Sequence, residues 1–165
     1  MIIGKRYGDL FQMSYVTRDL DAAMAHADVA LGISDFRVVE ADIEVLSYGK
    51  PERLHLRAAM ADIGTRQFEI IEPIAGATRI YTDDVDLSGP ILSFHHTAIA
   101  VRGDLRDWQS VLAEIADSGD SLAYLYPAQP RPDQTSAFCY VDTRDRIGHH
   151  TEFLWIPATA AGGGA

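Results

Sequence analysis

The sequence predicts an α+β fold made of two copies of one unit: a strand, a helix, then three strands. Three observations carry this. The segment "LFQMSYVT" is followed by "RDLDAAMAHADVALG", in which Leu20, Ala23, Met24, Ala27 and Leu31 recur at helical spacing. The pattern restarts at "SFHHTAIAV", followed by "DLRDWQSVLAEIADSG", with Leu105, Trp108, Leu112 and Ile115 on one helical face. In each half the helix precedes three extended runs, and a duplicated order marks a repeated supersecondary unit.

Each element has a local reason. Asp19 is a candidate N-cap for the first helix, and Gly32 a stop signal. The strands "DFRVVEADIEVLSY", "ERLHLRAAMADI" and "RQFEIIEPI" follow, punctuated by the turns "YGKPE" and "IGTR". In the second half Gly119 ends the helix, and "SLAYLYPA", "TSAFCYVDT" and "HHTEFLWI" are the strands, interrupted by the loop "PAQPRPDQ". Between the halves, "AGATRIYTDDVDLSGP" is polar and weakly patterned, a connector with one short helix. Its Asp83, Asp84 and Asp86 lack the twelve-residue calcium loop with its terminal Glu, so they are expected to be solvated helix-cap charges. The expected boundaries are a first module at 8–75, a connector at 76–93, a second module at 94–157 and a flexible tail, "ATAAGGGA", at 158–165.

Composition narrows the function classes. The chain of 165 residues is 47% hydrophobic and 23% charged, an ordinary soluble balance. No apolar run approaches the ~20 residues that span a bilayer, so no membrane partner is expected. The start "MIIGKRYGDLFQMSYV" has no apolar signal-peptide core, and a cytoplasmic location is expected. The single cysteine, Cys139, sits in the apolar run "SAFCYVD" and reads as a small buried residue rather than a nucleophile. A net charge of −10 without a Lys/Arg cluster makes nucleic acid an unexpected partner.

Strand alternation then selects the side chains of interest, because residues i and i+2 share a face. Phe11, Met13 and Tyr15 oppose Gln12, Ser14 and Val16; Thr97, Ile99 and Val101 oppose His96, Ala98 and Ala100. The first set of each pair suits packing beneath a helix. The second carries one polar group followed by small residues, which leaves room for a ligand. In the closing strands Glu69 opposes Phe68 and Ile70, while His150 and Glu152 oppose Thr151, Phe153 and Trp155. A carboxylate in such apolar sequence is costly unless paired or bound to metal. Gln12 and Glu69 lie 57 positions apart, and His96 and Glu152 lie 56 apart, so polar groups recur at equivalent places in the repeats. Glu72, out of phase and before Pro73, is expected to be a surface charge at a strand end. His95 and His149 are out of phase with the selected faces, His26 lies on the first helix, and His55 lies on a middle strand.

These segments resemble the vicinal oxygen chelate superfamily, which includes glyoxalase I, methylmalonyl-CoA epimerase and extradiol dioxygenases. "FHHTAIAV" resembles the family strand "HHxAxxV", "RDRIGHHTEFLW" resembles the closing "DPDGxxxEL", and "QFEIIEP" resembles the "ELLEP" of epimerase-like members. The resemblance covers about residues 8 to 157. It implies two βαβββ modules forming an open, cupped β-barrel around a metal site, with Gln12, Glu69, His96 and Glu152 as the ligands. It further implies one divalent ion, Zn, Ni, Co, Mn or Fe, and a small-molecule substrate with vicinal oxygens. The modules of this superfamily pair within one chain or across a dimer, and a homodimer is expected.

The implied chemistry is that of a metal-dependent isomerase, epimerase or lyase. The ion polarises a carbonyl and stabilises the enediolate left when the adjacent C–H loses its proton. Glu152 is the expected base, Glu69 its counterpart on the opposite face, and His150 a residue that meets substrate or orients a ligand. His55 is a weaker candidate for the pocket. Two alternatives are a non-catalytic small-molecule binding or sequestering protein of the same fold and an extradiol-type dioxygenase. The latter uses two histidines and one glutamate on iron, and Gln12 in place of a histidine argues against it. No basic cluster answers the phosphates of CoA, so the substrate is not specified.

Overall fold

The computed structural model describes residues 8–83, 85–131 and 133–158. The strands are β1 (Gly8–Val16), β2 (Arg37–Ser47), β3 (Lys50–Ile63), β4 (Arg66–Gly76), β5 (Ser93–Gly103), β6 (Leu122–Tyr126), β7 (Ala137–Val141) and β8 (His150–Pro157). The helices are α1 (Leu20–Leu31), α2 (Arg79–Thr82), α3 (Leu105–Asp117) and the single turn α4 (Arg144–Ile147). Strand, helix and three strands therefore occur twice, with α2 in the connector. The hydrogen-bonded strand order β1-β4-β3-β2-β6-β7-β8-β5 is that of a closed barrel, so the α+β barrel class holds. Of the tail at 158–165, residues 159–165 lie outside the described residues, as does Asp84.

The described chain divides into two compact units, one of 11–44 with 52–96, the other of 8–10, 45–51 and 97–158. In the first, β1 and β4 pair in parallel from Gln12↔Gln67 to Val16↔Ile71. A parallel pair needs a long crossover, which α1, β2 and β3 supply. β4 then pairs antiparallel with β3 from Ile63↔Arg66 to Leu54↔Gly76. α1 buries Leu20, Ala23 and Ala27 against Ala59, Phe68 and Ile70. The two alanines bring the helix close to the sheet. Asp19 caps α1 by accepting from the Ala22 amide at 3.0 Å, and Gly32 ends it in the left-handed region at φ 69°.

In the second unit, β6, β7 and β8 form an antiparallel ladder, and the end of β2 joins β6 through Leu46↔Leu125. α3 lays Trp108, Val111 and Ile115 onto Cys139, Val141, Phe153 and Trp155. Its start is a closed capping box: Asp104 accepts from the amides of Arg106 (2.7 Å) and Asp107 (3.1 Å), and the Asp107 carboxylate accepts from the Asp104 amide (2.8 Å). Gly103 is required just before it. Its φ is 152°, and a Cβ there would lie 2.0 Å from the Asp107 carboxylate. The Trp155 indole donates to the Gly103 carbonyl at 3.2 Å, fastening β8 to the helix entry.

Two expectations need correction. Tyr15 stacks on Phe68 at 5.0 Å between centroids, as a residue beneath the helix should, yet Met13 on the same face is 40% exposed. Glu72 is not a free surface charge: its carboxylate pairs with Arg57 at 3.0 Å and its side chain is only 14% exposed. Arg57 and Glu72 are directly cross-strand on β3 and β4. Of the connector's acids, Asp83 is the C-cap of α2, and Asp86 accepts from the Ser88 and Gly89 amides in a turn.

The two helix caps differ in the number of amides held. Asp104→Ala is expected to lower stability by about 1–2 kcal/mol, toward the upper end of the usual cap range, and Asp19→Ala by about 0.5–1 kcal/mol. Urea midpoints of the two variants against the parent protein check the order.

Candidate metal centre

The inward face of β1 carries Gln12, Ser14 and Val16, all buried. On β4 the apolar side chains Phe68 and Ile70 go under α1, which turns Gln67, Glu69 and Ile71 the other way. The parallel register sets Ser14 opposite Glu69 and Gln12 opposite Gln67. Gln12 donates its amide N–H to the Gln67 side-chain oxygen at 2.9 Å, and Gln67 in turn donates to Asp62 at 3.4 Å. With its nitrogen so engaged, Gln12 has its carbonyl oxygen as the atom still able to accept or coordinate.

His96 on β5 is fully buried, and its Nε2 lies 3.7 Å from the Glu69 carboxylate, whose side chain is 12% exposed. That separation is too long for a hydrogen bond. It suits two donors on one ion, because ligands each about 2.1 Å from a metal lie roughly 3–4 Å apart. His95 is buried beside His96. The two Nδ1 atoms are 2.9 Å apart, and His95 Nε2 donates to the Ile80 carbonyl at 2.7 Å. The Tyr81 ring of α2 packs on His95 at 5.0 Å between centroids, which gives the connector's short helix a structural purpose.

On β8, Phe153 and Trp155 enter the core beneath α3, so His150 and Glu152 fall on the other face, both buried. Glu152 stands opposite Tyr140 of β7. Burial pushes its carboxyl up to about 8. The thiol of Cys139 is raised as well, first by its own burial and then by the Glu152 charge, in keeping with an inert buried cysteine.

Among the described residues, Glu69, His96 and Glu152 each offer one ligand atom, and these atoms lie within 4.8 Å of one another. Two carboxylates and an imidazole gathered out of water need a compensating positive charge, and a divalent cation matches both the charge and the N/O donor chemistry. The residues therefore fit the ion that the sequence resemblance implies.

His150 is not one of these three. His149 is half-buried, with Nδ1 donating to the His150 carbonyl at 2.7 Å. The His55 Nε2 meets Glu40 at 2.6 Å on the partly exposed side of β3, and His26 is exposed on α1. Sequence reasoning passed over His95, Gln67 and Ser14. Gln67 carried one usable signal, a polar residue in the same phase as Glu69.

No family model matches the sequence, and no curated protein matches it. Solved structures do match, and they share this chain's fold. In particular, a variant of Streptomyces coelicolor methylmalonyl-CoA epimerase in complex with 2-nitronate-propionyl-CoA matches with TM-score 0.59 and 20% identity, covering 91% of this chain and 95% of that one. A methylmalonyl-CoA epimerase in complex with methylmalonyl-CoA and NH4+ matches with TM-score 0.59 and 18% identity, over 91% of this chain and 95% of that one. The methylmalonyl-CoA epimerase of Mycobacterium tuberculosis matches with TM-score 0.54 and 19% identity, over 94% and 92%. At these identities the likeness establishes the fold.

Glu152 also makes the metal-free protein sensitive to pH. Its carboxyl titrates at about 4.3 in an unfolded chain. In the folded protein it titrates at about 8. Below both values it is neutral in both states and costs nothing. As pH rises through this window the unfolded state ionises first. Stability then falls by up to a few kcal/mol, about 1.4 kcal/mol for each tenfold difference in proton affinity between the two states. Chelator-treated protein should therefore show a lower urea midpoint at pH 8 than at pH 5. Glu152→Gln should flatten that slope, and an equal slope in both proteins contradicts the assignment.

Proposed function

We propose that the protein is a metal-dependent isomerase or epimerase that moves a proton at a carbon next to a carbonyl. The observation that carries this is the convergence of Glu69, His96 and Glu152. Gln12, Glu69, His96 and Glu152 would hold the ion. When bound, a divalent cation supplies Lewis acidity to the carbonyl oxygen and so acidifies the neighbouring C–H. Glu152 removes that proton, and its raised carboxyl brings its basicity closer to what proton abstraction at neutral pH requires. For inversion, Glu69 starts in its protonated form and gives that proton to the other side of the same carbon, so the two acids exchange protonation states; for isomerisation, Glu152 returns the proton it removed to the neighbouring atom. His150 shares the Glu152 face of β8 and orients the substrate or Glu152 without ligating. Phe68 and Ile70 hold the strand of Glu69 in place, and Phe153 and Trp155 hold the strand of Glu152.

A 2-substituted acyl thioester is the first substrate class to test, since solved structures of the same fold hold methylmalonyl-CoA and 2-nitronate-propionyl-CoA. α-Hydroxy carbonyls and hemithioacetals present the same pair of neighbouring oxygens and come next. The same reading takes the working species to be a homodimer, checked by its mass in solution.

His96→Ala and Glu152→Gln should each lower bound metal from about one ion per chain to a small fraction, read by elemental analysis after purification. Full occupancy in both variants contradicts the ligand set. With a turned-over substrate, the parent protein should show a primary isotope effect at the carbon next to the carbonyl. Glu152→Gln should slow conversion by about 10²–10⁴-fold, the usual worth of a positioned general base. Conversion that breaks no such C–H bond rules out the mechanism while leaving the metal site standing.

A further inference from the structure

Neighbouring residues of a strand point to opposite faces, so His95 and His96 should not meet. Their rings nevertheless lie edge to face at 89°, with Nδ1 facing Nδ1 at 2.9 Å. One of the two nitrogens must carry the hydrogen. The other end of His95 decides which. Its Nε2 lies 2.7 Å from the Ile80 carbonyl oxygen, an atom that can only accept, so the His95 proton sits on Nε2. A neutral His95 then accepts at Nδ1, and His96 must donate from its own Nδ1. That leaves His96 Nε2 unprotonated, and Nε2 is the atom on the Glu69 side, 3.7 Å from the carboxylate.

We propose that His95 is a positioning residue that holds His96 in the tautomer protonated at Nδ1, so that Nε2 offers its lone pair toward Glu69. The relay runs from a backbone carbonyl through one imidazole to a second. It substitutes a histidine for the carboxylate or carbonyl that more often orients a metal-binding ring. The geometry around His95 supports a fixed ring. It is 3% exposed, Tyr81 packs against it, and Ile80 and Tyr81 are the buried residues of α2. The connector helix thus acts at a distance from the ligands by supplying the carbonyl that sets the first proton. The proposal deepens the metal reading above, yet its central claim concerns the metal-free protein.

The test is therefore made first without metal. Long-range ¹H–¹⁵N correlation spectra of the histidine rings, on chelator-treated protein near neutral pH, distinguish the Nδ1–H from the Nε2–H form. The expected result is His96 protonated at Nδ1 in the parent protein, with the Nε2–H form gaining in His95→Leu. His95→Asn keeps a short acceptor beside His96 and should restore much of the Nδ1–H population. In zinc titrations, His95→Leu should weaken affinity by about 10–100-fold, and His95→Asn by less. A lost packing contact alone would lower stability in both variants without changing the tautomer. The proposal is overturned if His96 carries its proton on Nε2 in the parent protein, as it would if His95 were a cation donating from both nitrogens. It is equally overturned if His95→Leu folds with an unchanged His96 tautomer. If the tautomer behaves as expected but zinc does not bind the parent protein, the proposed function fails and the positioning role of His95 stands.

Discussion

Carboxyl groups are expensive to ionise away from water, and this protein sets two of them on strands whose opposite faces are committed to the core. Phe68 and Ile70 fix which way Glu69 points, and Phe153 and Trp155 do the same for Glu152. Neither acid can rotate out to solvent without pulling a large apolar residue from beneath a helix, at a cost of several kcal/mol. The remaining architecture answers that cost. His96 stands beside Glu69, burial favours the neutral form of Glu152, and a divalent ion would supply the charge that the side chains lack. The helices are the clamps that hold charged groups where they would not otherwise stay.

Much of this was legible because it depends on local periodicity. The restart of strand and helix at Ser93 showed the repeat, and the spacing of Leu105, Trp108 and Ile115 showed which face of α3 is buried. Alternation alone placed Gln12, His96 and Glu152 inward, since each has bulky neighbours on its other side. The matched separations then linked the halves. Where the reading fell short, the cause was an interaction between residues distant in sequence or a departure from ideal alternation. Glu72 looked like a surface charge because its partner Arg57 is set by the register of β3 on β4, which no local pattern encodes. Met13 obeyed the alternation but lies outside the area that α1 covers.

His95 is the instructive omission. A period of two assigns adjacent residues to separate faces and so treats a doubled histidine as one ligand and one bystander. The two rings nevertheless meet through their Nδ1 atoms, and a carbonyl from a helix some fifteen residues away completes the set. Orientation of a ring by its far nitrogen is a property of three groups at once, whereas sequence patterns are read one or two positions at a time. Gln67 was missed for a related reason. Its part is to occupy one end of the Gln12 amide, which requires knowing that β1 and β4 run side by side.

The parallel pairing of β1 with β4 has a kinetic side. Ser14 meets Glu69, and Gln12 meets Gln67, across a separation of 55 positions, so this face of the site does not exist until the crossover has wrapped and the ladder has closed. Contacts of such sequence separation carry a large loop-closure entropy and tend to form late. A nascent or partly unfolded first module would therefore display its glutamate and glutamine on unjoined strands, with little means of capturing an ion prematurely. Whatever the site binds, it should select the finished ladder over its precursors and make strand opening, rather than ligand exchange alone, a route by which the ligand is lost.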